Sequence, residues 1–254
     1  MIIISGSTIK PEDIAADYAA DTMERKIISQ LAESAEKYNY DSVEQLKFEV
    51  RMRKEIIDSS YELNDSNMDF AVFRESKCNP EFWDRADDGG FVLKQGVKPS
   101  EAIRDIFTNS SEYATECATA MMILYYKALL NIYPEALFDR TFSEIELMNW
   151  HHINKLLREA GLMKKQEDYI WGDRRYFVNP DVDPLTPQWQ GENVIVLDDE
   201  KYYGHGIGIS DEKTIIKALN KHRSEGANES AYLSDAAGRP DFKKLADLYL
   251  KAIE

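Results

Sequence analysis

Cys117 stands directly after Glu116 and directly before the longest charge-free apolar run of the chain, residues 117–126 (CATAMMILYY), which Lys127 ends. A thiol at the polar mouth of a buried helix, beside a carboxylate, is placed to react, whereas a structural cysteine belongs inside the run. Two forces act on it. Helix amides near an N-terminus favour the thiolate by about 0.3–2 kcal/mol. An ionised carboxylate about 5 Å away opposes the thiolate by about 3 kcal/mol at an effective dielectric near 20. The carboxylate effect is larger, so the thiol rests protonated and needs a general base as it attacks.

A hairpin supplies the base. The strand-like segments 193–197 (NVIVL) and 202–209 (YYGHGIGI) flank a turn at Asp198, Asp199 and Glu200. A two-residue turn at 198–199 pairs Leu197 with Glu200 and sets Glu192 opposite His205. A three-residue turn moves the register by one and leaves the two as neighbours. Side-chain alternation sends Ile195 and Leu197 to the face opposite Glu192. If the Cys117 helix packs against this sheet, Cys117, Glu192 and His205 form one constellation. Each also has an ordinary reading: an inert thiol, a strand-ending glutamate and a packing histidine. Cys78 reads as a loop thiol and His222 as a solvated helix end.

The elements that must carry these residues follow from periodicity. Residues 11–65 read as helical, with Pro11 at a helix start and apolar positions such as Ile27, Ile28, Leu31, Leu46 and Val50 at helical spacing. Pro99 opens another helix, with Ser100 as its cap. The Cys117 helix is expected over residues 112–132, with Pro134 ending it. Beyond residue 165, short β-rich stretches (169–171, 175–178, 193–197, 202–209) lie between Gly, Pro, Asn and Asp clusters. Helices return over 211–222 and from 241 onward. Helices first and a hairpin sheet after them predict an α+β fold with antiparallel strands, in one domain over residues 1–254.

Composition narrows the class. With 254 residues, 43% hydrophobic and 30% charged, the chain can bury a full core. A net charge of −15 disfavours nucleic acid, which needs a basic footprint, and favours cationic partners such as lysine-rich proteins. Two cysteines make no disulfide scaffold. Neither a signal-peptide core nor a membrane-spanning run is present, which leads to the expectation of a protein that stays in the cytosol when made. No zinc site is visible, since His151, His152, His205 and His222 have no Cys or His at ligand spacing. His151 and His152, if on a strand, point their rings apart.

A set of segments then matches a known pattern. They are 99–106 (PSEAIRDI), 116–120 (ECATA), Asn149-Trp150-His151, 188–195 (QWQGENVI) and 204–208 (GHGIG), with 1–6 and 230–233 at the two ends. Together, in order and nearly end to end, they resemble the bacterial spore-coat transglutaminases, the protein-glutamine γ-glutamyltransferases. The resemblance implies a papain-like core of the NlpC/P60 type, with a nucleophile-bearing central helix on an antiparallel sheet. It implies a calcium-independent reaction that uses no cofactor and no metal. It places the nucleophile on Cys117, catalytic glutamates on Glu192 and Glu116, and supporting roles on His205 and Asn193. It puts the aromatics of a substrate passage on Phe70, Trp150, Tyr176 and Trp189. It also implies spore-coat proteins as glutamine and lysine substrates, and a place in the spore coat. The pair Arg174-Arg175 departs from the pattern, being more charged, and residues 17–65 match loosely. On residues alone, a cysteine amidase or peptidase and a non-catalytic structural protein remain the alternatives.

Overall fold

In the computed structural model, which describes residues 1–254, the helix Cys117–Ile132 forms the centre of packing. Within it only Cys117, Lys127 and Asn131 are not buried, as a charge-free run requires of a helix enclosed on all sides. The long helix Val43–Asn64 packs along it, and the strand Gly191–Val196 crosses its start.

That strand is the middle of a five-stranded antiparallel sheet. Its order is Gly208–Ser210, Tyr202–Gly204, Gly191–Val196, Arg174–Val178 and Tyr232–Leu233. All six residues of Gly191–Val196 are buried, so both of its faces are covered. The hairpin takes the longer of the two turns considered. Leu197 N–H donates to the Lys201 carbonyl at 2.9 Å, and Val194 then pairs with Gly204. Glu192 accordingly faces the Gly206 turn, not His205 itself. Mixed helix and antiparallel sheet is the architecture, and one hydrophobic core runs from Ile2 to Ala246.

Several elements differ from expectation. Residues 11–65 contain three helices (Pro11–Ala15, Met23–Glu33, Val43–Asn64) and, between the last two, a strand, Tyr38–Tyr40. That strand pairs in parallel with Ile2–Ile4. The central helix begins at Cys117, not at 112. Residues Ser110–Glu112 form a 3-10 turn, and Ala114–Thr115 pair in parallel with Asp69–Phe70. This short pairing sets Phe70 beside the Cys117 helix. Ile132 is the last helical residue, and Pro134 caps the next helix, Glu135–Thr141. Ser100 does not cap its helix. Pro99 takes the first helical position, Lys98 precedes it, and Ser100 N–H donates to Asp139 Oδ1 at 2.8 Å.

Residues 169–171 are not a strand. Ile170 N–H donates to the Asp173 carboxylate, and Gly172, at φ +84°, turns the chain there. His151 and His152 also lie in a turn. His222 is half-buried and stacks flat on Trp189, with centroids 4.3 Å apart, so it is no solvated helix end.

A buried ionic cluster pins the start of the strand Arg174–Val178. Arg53 bonds Glu49 at 2.9 Å and Asp173 at 2.8 Å, and Arg239 bonds Asp173 from the other side at 2.7 Å. Both carboxylate oxygens of Asp173 are therefore charge-paired, one residue before the strand that enters the site.

Candidate active site

Glu116 is the N-cap of the Cys117 helix. Its carboxylate accepts from Ala118 N–H at 2.6 Å, from Thr119 N–H at 2.7 Å and from Thr119 Oγ1 at 2.7 Å. Two amides at the helix start are thus already committed to Glu116. Thr119 Oγ1 in turn accepts from Asn149 N–H at 2.8 Å, which docks the Trp150 loop against the helix. Asn149 holds φ +49° there, a left-handed conformation that asparagine tolerates.

Cys117 lines a cavity of about 530 Å³ together with Glu116, Phe70, Trp150, Tyr176 and Asn193. Its Sγ receives a hydrogen bond from Asn193 Nδ2 at 3.4 Å. Burial pushes the thiol well above its ordinary range. The charges of Glu192 and then Glu116 push the same way, and the Asn193 amide pulls back. The thiol is thus protonated at rest, as the charge argument required.

Glu192 is almost wholly buried, at 2% exposure. Burial pushes its carboxyl up to about 8, Gly206 N–H works against that, and Glu116 adds to it. Its one hydrogen bond comes from Gly206 N–H to Oε1 at 3.2 Å, and Oε2 accepts none. No hydrogen bond joins it to Cys117. Two glycines make room around it. A Cβ on Gly204 would lie 2.8 Å from Glu192 Oε1, and one on Gly191 would lie 2.3 Å from the Tyr176 ring. These close approaches leave no room for a side chain at Gly204 or Gly191.

His205 bonds neither Cys117 nor Glu192. Its Nδ1 meets Tyr203 Oη at 3.1 Å and its Nε2 meets the Asp69 carbonyl at 3.2 Å. Burial holds the imidazole down to about 4, so it is neutral near pH 7. It braces the Asp69–Phe70 segment from behind. Trp189 does not line the cavity; it stacks on Phe70 at 6.1 Å and on His222. Sequence reasoning noted Arg174 only as a departure. The residue is buried, lines the cavity, and lies 4.3 Å from the Trp150 ring centroid. A charge in a strand otherwise rich in large side chains was the available signal.

His152, which lacks ligand partners by sequence spacing, meets Glu146 at 3.3 Å, with Asp88 close by at the surface. No helix is long and apolar enough to cross a membrane.

A family model described as protein-glutamine gamma-glutamyltransferase matches residues 1–249. A protein of that name from Bacillus mycoides is 41% identical over 247 residues, covering 97% of this chain and 88% of the relative. One from Bacillus cereus is 41% identical over 249 residues, again covering 97% and 88%. Among solved structures, a transglutaminase from Geobacillus stearothermophilus, without its C-terminal extension, matches with a TM-score of 0.76 and 46% identity. That match covers 81% of this chain and 97% of the other.

Proposed function

Because the chain belongs to the protein-glutamine gamma-glutamyltransferase family, an acyltransferase family acting on protein glutamine and lysine, we propose that Cys117 is its nucleophile and Glu192 its general base. The observation that carries this reading is the protonated Cys117 thiol in an aromatic-lined cavity, within electrostatic reach of a buried glutamate lifted to about 8.

Glu192 in its ionised form takes the thiol proton, and Cys117 Sγ attacks the γ-carboxamide of a protein glutamine. Oε2 is the free lone pair for that proton. Glu116 is the weaker choice of base, since three donors already occupy its oxygens. It serves as a fixed cap and a fixed negative charge. The oxyanion then falls to Cys117 N–H and Asn193 Nδ2. Protonated Glu192 returns its proton to the leaving ammonia, and a thioester remains.

A lysine arrives as an ammonium, drawn by the acidic surface and by Glu116. Glu192, again ionised, takes its proton, and the amine attacks the thioester to give an isopeptide bond. Phe70, Trp150 and Tyr176 line the passage and keep water from competing. Trp189 stiffens Phe70 from behind, and His205 holds the Asp69 carbonyl beside it.

Finer readings rest on the motif resemblance. They are an NlpC/P60-type core, calcium independence, spore-coat proteins as substrates and a place in the spore coat. The continuous core supports a single domain over residues 1–254.

Amine incorporation tests the reading. A glutamine-rich protein and a fluorescent primary amine, without calcium, become linked by the wild type and not by Cys117→Ala. Ammonia release without incorporation would identify a hydrolase instead. Undiminished labelling by Cys117→Ala would remove Cys117 from the chemistry.

A further inference from the structure

Arg174, Tyr176 and Asn193 share one face of the sheet. Tyr176 pairs directly with Asn193, and Arg174, two residues earlier, is Asn193's diagonal neighbour. Across that diagonal, Arg174 Nη1 donates to Asn193 Oδ1 at 2.6 Å. The second half of the same amide, Nδ2, donates to Cys117 Sγ at 3.4 Å. The guanidinium is fixed at its other positions. Nε donates to the Ala160 carbonyl at 3.0 Å, and the plane lies over the Trp150 ring. Nη2 is buried without a partner. A cation 2% exposed, with an unused donor, is an expensive thing to keep where only packing is needed.

The arrangement settles which way the amide points. A guanidinium carries only donors, so the atom facing it must be the amide oxygen, and the NH₂ is left facing sulfur. Without Arg174 both orientations are open, and the flipped one aims an acceptor at a sulfur that must become negative. The cation also polarises the amide, which strengthens its N–H toward sulfur.

We propose that Arg174 is a positioning residue for the nucleophile: it clamps the Asn193 side chain so that an N–H, and never a carbonyl, faces Cys117 as negative charge develops there. This rests on the reading of Cys117 as the nucleophile. The other charged or titratable groups around the sulfur are Glu116 on its own helix, Glu192 on the sheet and Tyr176 on the neighbouring strand.

The test reads the thiol directly, independent of any transferase assay. Iodoacetamide modification of Cys117 is followed by peptide mass spectrometry across pH 6–10, with Cys78 as internal reference and unfolding curves for each variant. Arg174→Gln and Arg174→Met should raise the apparent thiol pKa by about one unit, which makes alkylation about tenfold slower at a fixed pH below it. Asn193→Ala should do the same. In the Asn193→Ala background, Arg174→Met should add clearly less than it does alone, because only the direct charge of the guanidinium is then left to lose. Additive effects, or an unchanged pH profile in folded Arg174 variants, would overturn the proposal.

If both Arg174 variants fail to fold, Asn193→Asp decides. It keeps Arg174 paired but offers sulfur only acceptors, and should raise the thiol pKa by more than Asn193→Ala does. An unchanged profile in Asn193→Asp refutes the proposal. Retained amine incorporation by Cys117→Ala would instead refute the reading beneath it, so the two failures are distinct.

Discussion

Asp173 and Glu192 are both buried carboxyl groups, one just before the strand Arg174–Val178 and one on the strand beside it, at 0% and 2% exposure, and they end up in opposite states. Burial works against the charge of Asp173, but Arg53 and Arg239 outweigh it and hold the group below its usual range. Glu192 has no cation bonded to it, one backbone donor, and a carboxyl lifted to about 8. The same desolvation thus gives a fixed ion pair in one place and a base poised near neutral pH in the other. Paired burial holds the sheet; unpaired burial makes the sheet reactive.

Removing each carboxylate should act in opposite directions, on catalysis at Glu192 and on stability at Asp173. Glu192→Gln should lower the rate of amine incorporation by about 10²–10⁴-fold, the range for loss of general base catalysis, measured as kcat/KM with saturating amine. The same variant should not lose stability at alkaline pH. The folded carboxyl is raised from 4.5 to about 8. Its favourable contribution is therefore full below about 4.5 and lost as pH rises through about 8. Gln does not ionise, so urea unfolding should favour the variant increasingly between pH 5 and pH 9. The wild-type kcat/KM should also rise with pH through about 8, and that limb should vanish in Glu192→Gln.

Asp173→Asn should cost about 3–5 kcal/mol, because it takes the shared counter-charge from buried Arg53 and half-buried Arg239. Urea unfolding at pH 7 reads it, and equal stability of variant and wild type would erase the contrast with Glu192.

His205→Ala should cost about 1–2 kcal/mol through the lost bond to the Asp69 carbonyl. The folded imidazole is lowered from 6.5 to about 4, so its contribution is present above about 6.5 and lost as pH falls through about 4. The variant's acid unfolding should accordingly flatten over that window.

The smallest effect belongs to His222→Ala. It should cost about 0.5–1 kcal/mol by removing the ring under Trp189, with KM for protein substrate moving more than kcat.

Cys117 and its carboxylate neighbours were legible because the chemistry is local. A thiol, a capping glutamate and an apolar run are adjacent in sequence, and the Glu192 hairpin is bounded by glycines. Hairpin register was legible only to within one residue, because a turn of two or three residues fits the same letters, and His205 left Glu192 because the strand ends at Gly204 and the chain turns there. The Asp69–Phe70 pairing with Ala114–Thr115 was not legible at all. A parallel contact of two residues, 45 positions apart by their numbers, carries no periodicity. Arg174 was visible as an oddity, but its use depends on a diagonal across two strands and on Asn193 meeting a helix from elsewhere in the chain. The Tyr169–Trp171 segment misled for a related reason. Its β-forming side chains were overruled by the Asp173 carboxylate, whose ion partners come from both ends of the sequence.

If Cys117 carries the acyl group, that intermediate can be weighed. The enzyme is mixed with a glutamine-donor peptide without any amine, quenched in acid within seconds, digested and analysed by mass spectrometry. The peptide's acyl mass, less ammonia, should appear on Cys117 alone, absent from Cys78 and discharged when a lysine analogue is added before the quench. Turnover with no adduct on Cys117, or an adduct that added amine does not discharge, would contradict it.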